Sequence, residues 1–150
     1  MQLWEQGKFQ LDDSINKYLK AYQVKHRDPN APPVTFRHLL THTSGIGEVR
    51  KFTDLLLPVW GLGGKPDKPI PSLKEYYSEG ITPEVYPETK WSYANHGFAT
   101  LGQLVEDISG QPFSEYAIAH IFAPLGMTHT DYLRTRSRAE PTCTRIRIQG

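Results

Sequence analysis

From Asn95 to Ile108 the apolar residues Phe98, Leu101, Leu104, Val105 and Ile108 recur at spacings of three, three, one and three. That is the period of an α-helix with one apolar face. Gly110 supplies its stop. Pro112 then stands at the first position of a following helix, whose stripe of Phe113, Tyr116, Ala117, His120 and Ile121 runs to Pro124. A chain built round these two helices has to bury that face. Phe98, Leu101, Leu104, Val105, Ile108, Phe113, Tyr116 and Ile121 are therefore expected in the core, and no segment alternates clearly enough to read as a strand.

Shorter elements precede this pair. Met1–Gln6 reads as the last turns of a helix, with Leu3 and Trp4 apolar and Gly7 as stop; no Ser, Thr, Asp or Asn cap precedes it. Asp12 or Asp13 is placed to cap a short helix through Leu19, with Ile15, Tyr18 and Leu19 on one side. Thr35 opens a helix over Phe36-Arg37-His38-Leu39-Leu40 that ends near Gly45. Ser72, with Glu75 three residues on, forms a capping box for a helix through Ser78. Residues 58–71 hold four prolines and three glycines and read as loop throughout.

Composition excludes several classes. The longest apolar run, Leu55 to Trp60, is broken by Pro58, far short of the ~18 residues a membrane span needs. No basic region followed by an apolar stretch opens the chain, so no export signal is visible and the compartment is left open. A single cysteine, Cys143, rules out an internal disulfide framework and a cysteine-rich zinc site. Residues 134–150 carry five arginines against Glu140 alone, a local balance of +4, while the other 133 residues carry −3. No phosphate-binding surface is expected across the body. The Arg-rich tail lacks the interleaved aromatics of a stacking platform, so nucleic acid is not an expected partner; binding through that tail remains an alternative.

Three constellations have chemical spacing. His38 and His42 lie one helical turn apart, but no Glu intervenes and no third ligand is evident, so no metal is expected. His42, Thr43 and Ser44 read instead as groups closing the end of the preceding helix, with Gly45 permitting a left-handed turn. Ser14-Ile15-Asn16-Lys17 matches Ser-x-x-Lys, the pair in which lysine activates serine. It follows two aspartates in a polar segment where solvent keeps the lysine protonated, and reads as a chance match. Tyr93-Ala94-Asn95 stands between an extended segment and the strongest helix. The local reading makes Asn95 the helix cap and Tyr93 an aromatic packed beside Trp91. At the lip of a helix, the same side chains are also placed to meet a ligand.

In order along the chain, Glu5-Gln6-Gly7-Lys8, Leu11-Asp12-Asp13, Thr35-Phe36-Arg37-His38-Leu39-Leu40-Thr41-His42-Thr43-Ser44-Gly45, Lys90-Trp91-Ser92-Tyr93-Ala94-Asn95, Leu101-Gly102-Gln103-Leu104 and Pro124-Leu125-Gly126-Met127 resemble the serine beta-lactamase and penicillin-binding-protein-like hydrolases of the class C beta-lactamase-related branch. The resemblance covers residues 1–133, leaving 134–150 as a tail of uncertain order. It implies a mainly α fragment of an α/β (beta-lactamase/transpeptidase-like) domain, whose apolar helical face is left partly uncovered. It also implies acyl transfer through an acyl-serine on beta-lactams, D-alanyl peptides or small esters, with a small-molecule substrate and no cofactor. Tyr93 matches the family's proton-shuttling tyrosine, and Asn95 the asparagine that binds the substrate carbonyl. The family's Ser-x-x-Lys nucleophile is not found at a matching position in these residues. The chain alone is therefore expected to be inactive, with a non-enzymatic ligand-binding or regulatory remnant as the alternative. Glu88 replaces the family's glycine in the turn before Tyr93, where a Cβ can strain a positive φ.

Overall fold

The computed structural model describes residues 1–47 and 71–130. The loop read over 58–70, the Arg-rich tail and Cys143 lie outside the described residues.

Five α-helices are seen among these residues: α1 (Gln2–Glu5), α2 (Phe36–Leu40), α3 (Leu73–Tyr76), α4 (Asn95–Ser109) and α5 (Phe113–Ala117). A π-helical turn, Ile118–Phe122, continues α5. Strand pairing among the described residues amounts to two isolated bridges, Ser14 with Thr35 and Val24 with Ile81. Thr35 caps α2 as the sequence predicts. Its hydroxyl accepts from the His38 amide while the His38 ring accepts from the Thr35 amide, a reciprocal box with His in the place of Glu. Ser72 and Glu75 close the expected box on α3, although that helix ends at Tyr76 rather than Ser78.

The helix expected after Asp12-Asp13 does not form. Residues Ile15–Lys17 make one 3₁₀ turn, and neither aspartate caps it. Asp12 is drawn off by Arg37, which donates to it from Nε at 2.6 Å and Nη2 at 2.9 Å. Asp13 accepts from the Gln10 amide, the Tyr18 hydroxyl and Lys17. The apolar side chains still go inward: Ile15 and Leu19 are buried, and Phe9 stacks on Phe36 with Tyr18 edge-on to the same ring.

α4 keeps its predicted length and stops at Gly110, which adopts a left-handed φ of 73°. Its orientation differs from the prediction. The face turned fully inward carries His96, Gly97, Thr100, Gln103 and Leu104. Phe98 is 47% exposed and Ile121 40% exposed, so neither is a core residue. Leu104 and Tyr116 are buried as expected, and Leu101, Val105 and Ile108 pack partly buried against them. Thr100 and His96 are bonded across the fold. Tyr22 Oη donates to Thr100 Oγ1, Thr100 donates to the His96 carbonyl, and Tyr77 Oη pairs with His96 Nδ1. Those bonds let polar residues occupy the interior face. Leu101, Val105 and Ile108 face an apolar groove of about 450 Å³, shared with α1, α2 and α5. Pro112 precedes α5 as its cap rather than opening it.

Candidate active site

α2 runs into a sharp turn. His42 takes a left-handed φ of 58° and Gly45 one of 74°. The His42 amide reaches back to the Leu39 carbonyl and the Thr43 amide to that of His38, which satisfies groups the helix leaves open. With its carbonyls turned outward, this 42–45 turn becomes a template for the segment leading to α4. Gly45 O accepts from the Glu84 amide, Thr43 O from Glu88 and His42 O from Ser92, all within 2.9 Å. At Gly45 a Cβ would overlap the Val85 carbonyl oxygen and lie 2.9 Å from its carbon.

Docked in this way, the extended segment delivers Tyr93 and Asn95 to the start of α4. The Tyr93 hydroxyl donates to Asn95 Oδ1 at 3.1 Å. Tyr93 is 55% exposed and Asn95 is exposed as well, so both side chains lie at the surface. Two local expectations are corrected. The N-cap of α4 is Ala94, Asn95 is its first helical residue, and no side-chain cap bond is made. Nor is Tyr93 packed away beside Trp91, which is itself 67% exposed.

Sequence reasoning missed one part of the site. His42, read as a helix-end residue, accepts the Ala94 amide on its Nδ1 at 3.3 Å. Its ring centroid lies 4.7 Å from that of Tyr93, 4.8 Å from Phe98 and 5.9 Å from Trp91. A non-glycine residue at the position after a helix end was the available signal, since that place favours glycine or asparagine.

Glu88 does adopt the positive φ, at 65°. Its amide holds Thr43, and its carboxylate meets His38 Nε2 at 3.3 Å. Because His38 Nδ1 already accepts from Thr35, the proton of the neutral ring sits on Nε2 and is donated to Glu88. His38 and His42 are thus engaged with different partners. Among the described residues no group of three or more His, Cys, Asp or Glu is placed to hold a metal. In the Ser14-x-x-Lys17 match, Lys17 Nζ sits 3.2 Å from Asp13 Oδ1 with its side chain 63% exposed. No helix among the described residues is long and apolar enough to cross a membrane.

The family model described as Beta-lactamase matches residues 1–146. PbpX of Bacillus subtilis (strain 168) is 28% identical over 151 residues, covering 100% of this chain and 33% of that protein. Among solved structures, the octameric penicillin-binding protein homologue from Pyrococcus abyssi superposes with a TM-score of 0.69 at 28% identity, over 94% of this chain and 31% of the other. The penicillin binding protein from Bacillus halodurans does so with a TM-score of 0.65 at 32% identity, over 94% and 39%. The chain therefore spans about a third of the length of these relatives. Its fold is that of the corresponding part of a beta-lactamase/transpeptidase-like domain, and with the family model matching nearly its whole length, the chain belongs to the beta-lactamase family.

Proposed function

We propose that this chain is the helical portion of a beta-lactamase-related serine hydrolase and supplies the tyrosine–asparagine half of its acyl-transfer site. The observation that carries this reading is the Tyr93 hydroxyl donating to Asn95 Oδ1 at the exposed start of α4. A phenol ordinarily titrates near pH 10 and relays protons at neutral pH only beside a cation that favours the phenolate. In this reading the cation is the lysine of a Ser-x-x-Lys pair outside these 150 residues. Tyr93 takes the proton of the attacking serine and returns it to the leaving group. In this reading the Asn95 side-chain amide binds the substrate carbonyl. The rings of Trp91 and Phe98 lie 5.9 Å and 4.8 Å from the His42 ring that sits against Tyr93. Beta-lactams, D-alanyl peptides and small esters are the substrate classes, each offering an acyl carbon to a serine.

A fluorescent penicillin tests the proposal. The 150-residue chain is expected to show no boiling-resistant label. In a protein of the relatives' full length that contains these residues, labelling is expected, slowed ~10²–10⁴-fold by Tyr93→Phe. Label on the short chain that disappears with Ser14→Ala, or full-length labelling indifferent to Tyr93→Phe, would overturn it.

A further inference from the structure

We infer that His42 is the positioning residue of Tyr93, an inference that rests on the proposed role of that tyrosine and adds the side chain that sets its place. His42 touches the tyrosine and both of its neighbours in the chain. Its carbonyl accepts the Ser92 amide at 2.9 Å, its Nδ1 accepts the Ala94 amide at 3.3 Å, and its ring lies 4.7 Å from the Tyr93 ring at an interplanar angle of 35°. One residue thus fixes the backbone on either side of position 93 and supports the ring itself.

Ending α2 does not require this. Glycine or asparagine at position 42 would close the helix and adopt the left-handed backbone with less strain. A histidine at φ 58° persists where surrounding contacts over-determine it. Here those contacts come from the tyrosine segment and from Phe98, whose ring centroid is 4.8 Å from the imidazole at 28°. Imidazole has what both jobs need: a flat ring to lie against the phenol and a lone pair on Nδ1 for the Ala94 amide. In the neutral ring that assignment leaves the proton on Nε2. Rotation of the Tyr93 backbone, which would swing the hydroxyl away from Asn95, has to break the Ala94 bond, the Ser92 bond or the ring contact. A positioning group is expected to resist that motion.

The test uses the 150-residue chain and needs no turnover. Amide hydrogen exchange is followed by NMR in the unmodified chain, in His42→Phe, which keeps a ring and loses the acceptor, and in His42→Asn, whose side-chain oxygen replaces it. Exchange at Ala94 is expected to rise about tenfold in His42→Phe, the equivalent of one hydrogen bond, with Ser92 and the amides of α4 unchanged. His42→Asn is expected to return Ala94 to within about twofold of the unmodified chain. A merely structural role would instead raise exchange at all these amides together, and that result overturns the inference, as does unchanged exchange at Ala94. Should His42→Phe fail to fold, the ¹⁵N signal of His42 decides the matter. An unprotonated Nδ1 coupled to the Ala94 amide supports the assignment, and a protonated Nδ1 overturns it. Failure of penicillin labelling in the protein of the relatives' full length would refute the acyl-transfer reading and leave these exchange rates as they are, so the two failures are distinguishable.

Discussion

Replacing Gly45 by alanine isolates the contact on which the Tyr93 segment is docked. Gly110 is its control, because the two glycines share a left-handed backbone, φ 74° and 73°, in different surroundings. At Gly110 an added Cβ meets nothing within 4 Å, whereas at Gly45 it overlaps the Val85 carbonyl oxygen. Left-handed backbone costs an L-residue about 1–2 kcal/mol. Loss of glycine's freedom in the unfolded chain returns ~0.4–1 kcal/mol. Gly110→Ala should therefore cost about 1 kcal/mol. At Gly45 the carbonyl at 85 has to retreat, which parts the Glu84 amide from Gly45 O and strains the Glu88 amide's bond to Thr43 O, each 2.8 Å long. At roughly 1 kcal/mol per backbone bond, the loss rises to about 3 kcal/mol. Urea unfolding followed by far-UV circular dichroism measures both variants, and amide exchange at Glu84 and Glu88 reports the site directly. Equal losses in the two variants, or unchanged exchange at those amides, would refute the docking argument.

Two further predictions concern single side chains. At Glu88, φ 65° reverses the usual ranking of small residues, so Glu88→Gly should be about 1 kcal/mol more stable to urea than Glu88→Ala. Alanine equal to or better than glycine would show that the turn is not left-handed in solution. Asp13 has its carboxyl held down to about 2 from 3.8 by the Gln10 amide, then by the Tyr18 hydroxyl and Lys17. A lowered folded value means that the stabilising contribution is complete above the unfolded value and lost as pH falls through the folded one. The stability difference between the unmodified chain and Asp13→Asn should accordingly be constant at neutral pH and shrink between about pH 4 and pH 2. A difference that stays flat across that window contradicts the assignment.

Legibility in the sequence tracks how local each cause is. The stop of α4 at Gly110, the opening of α2 at Thr35 and the capping box of α3 rest on partners three or four residues apart, and a linear reading reaches them. The expected helix after Asp12-Asp13 fails for the opposite reason. Arg37, 25 residues from Asp12, takes a carboxylate that the linear reading assigned to a cap. The inward face of α4 is another such case. Periodicity weighs Phe98 as core because it is apolar, and Thr100 and His96 as surface because they are polar. Tyr22 lies 78 residues from Thr100 and Tyr77 lies 19 from His96, and each brings a hydroxyl to the buried side. Once these polar groups are paired, burying them costs little, so the helix can turn so that Phe98 lies outside, against His42.

That rotation joins the fold to the candidate site. Tyr93 and Asn95 stand out through their resemblance to the family's Tyr-x-Asn pattern; their spacing alone reads as a helix cap and a packed aromatic. What holds them was not legible. The supporting histidine comes from position 42, in a run whose local reading, a helix end with a left-handed turn, is correct and incomplete. The backbone of that turn does close α2, and the same geometry turns its carbonyls and the imidazole toward residues 84–94. Phe98 could not lie 4.8 Å from that imidazole if it were buried with Leu104. A motif read by resemblance thus names the candidate groups, while the groups that fix their geometry are chosen by which face of α4 the distant tyrosines can satisfy. Residues 22 and 77 consequently belong to the construction of the site although neither is part of the Tyr-x-Asn pattern: by pairing Thr100 and His96 they set the rotation of α4, and with it the side on which Phe98, His42 and Tyr93 meet.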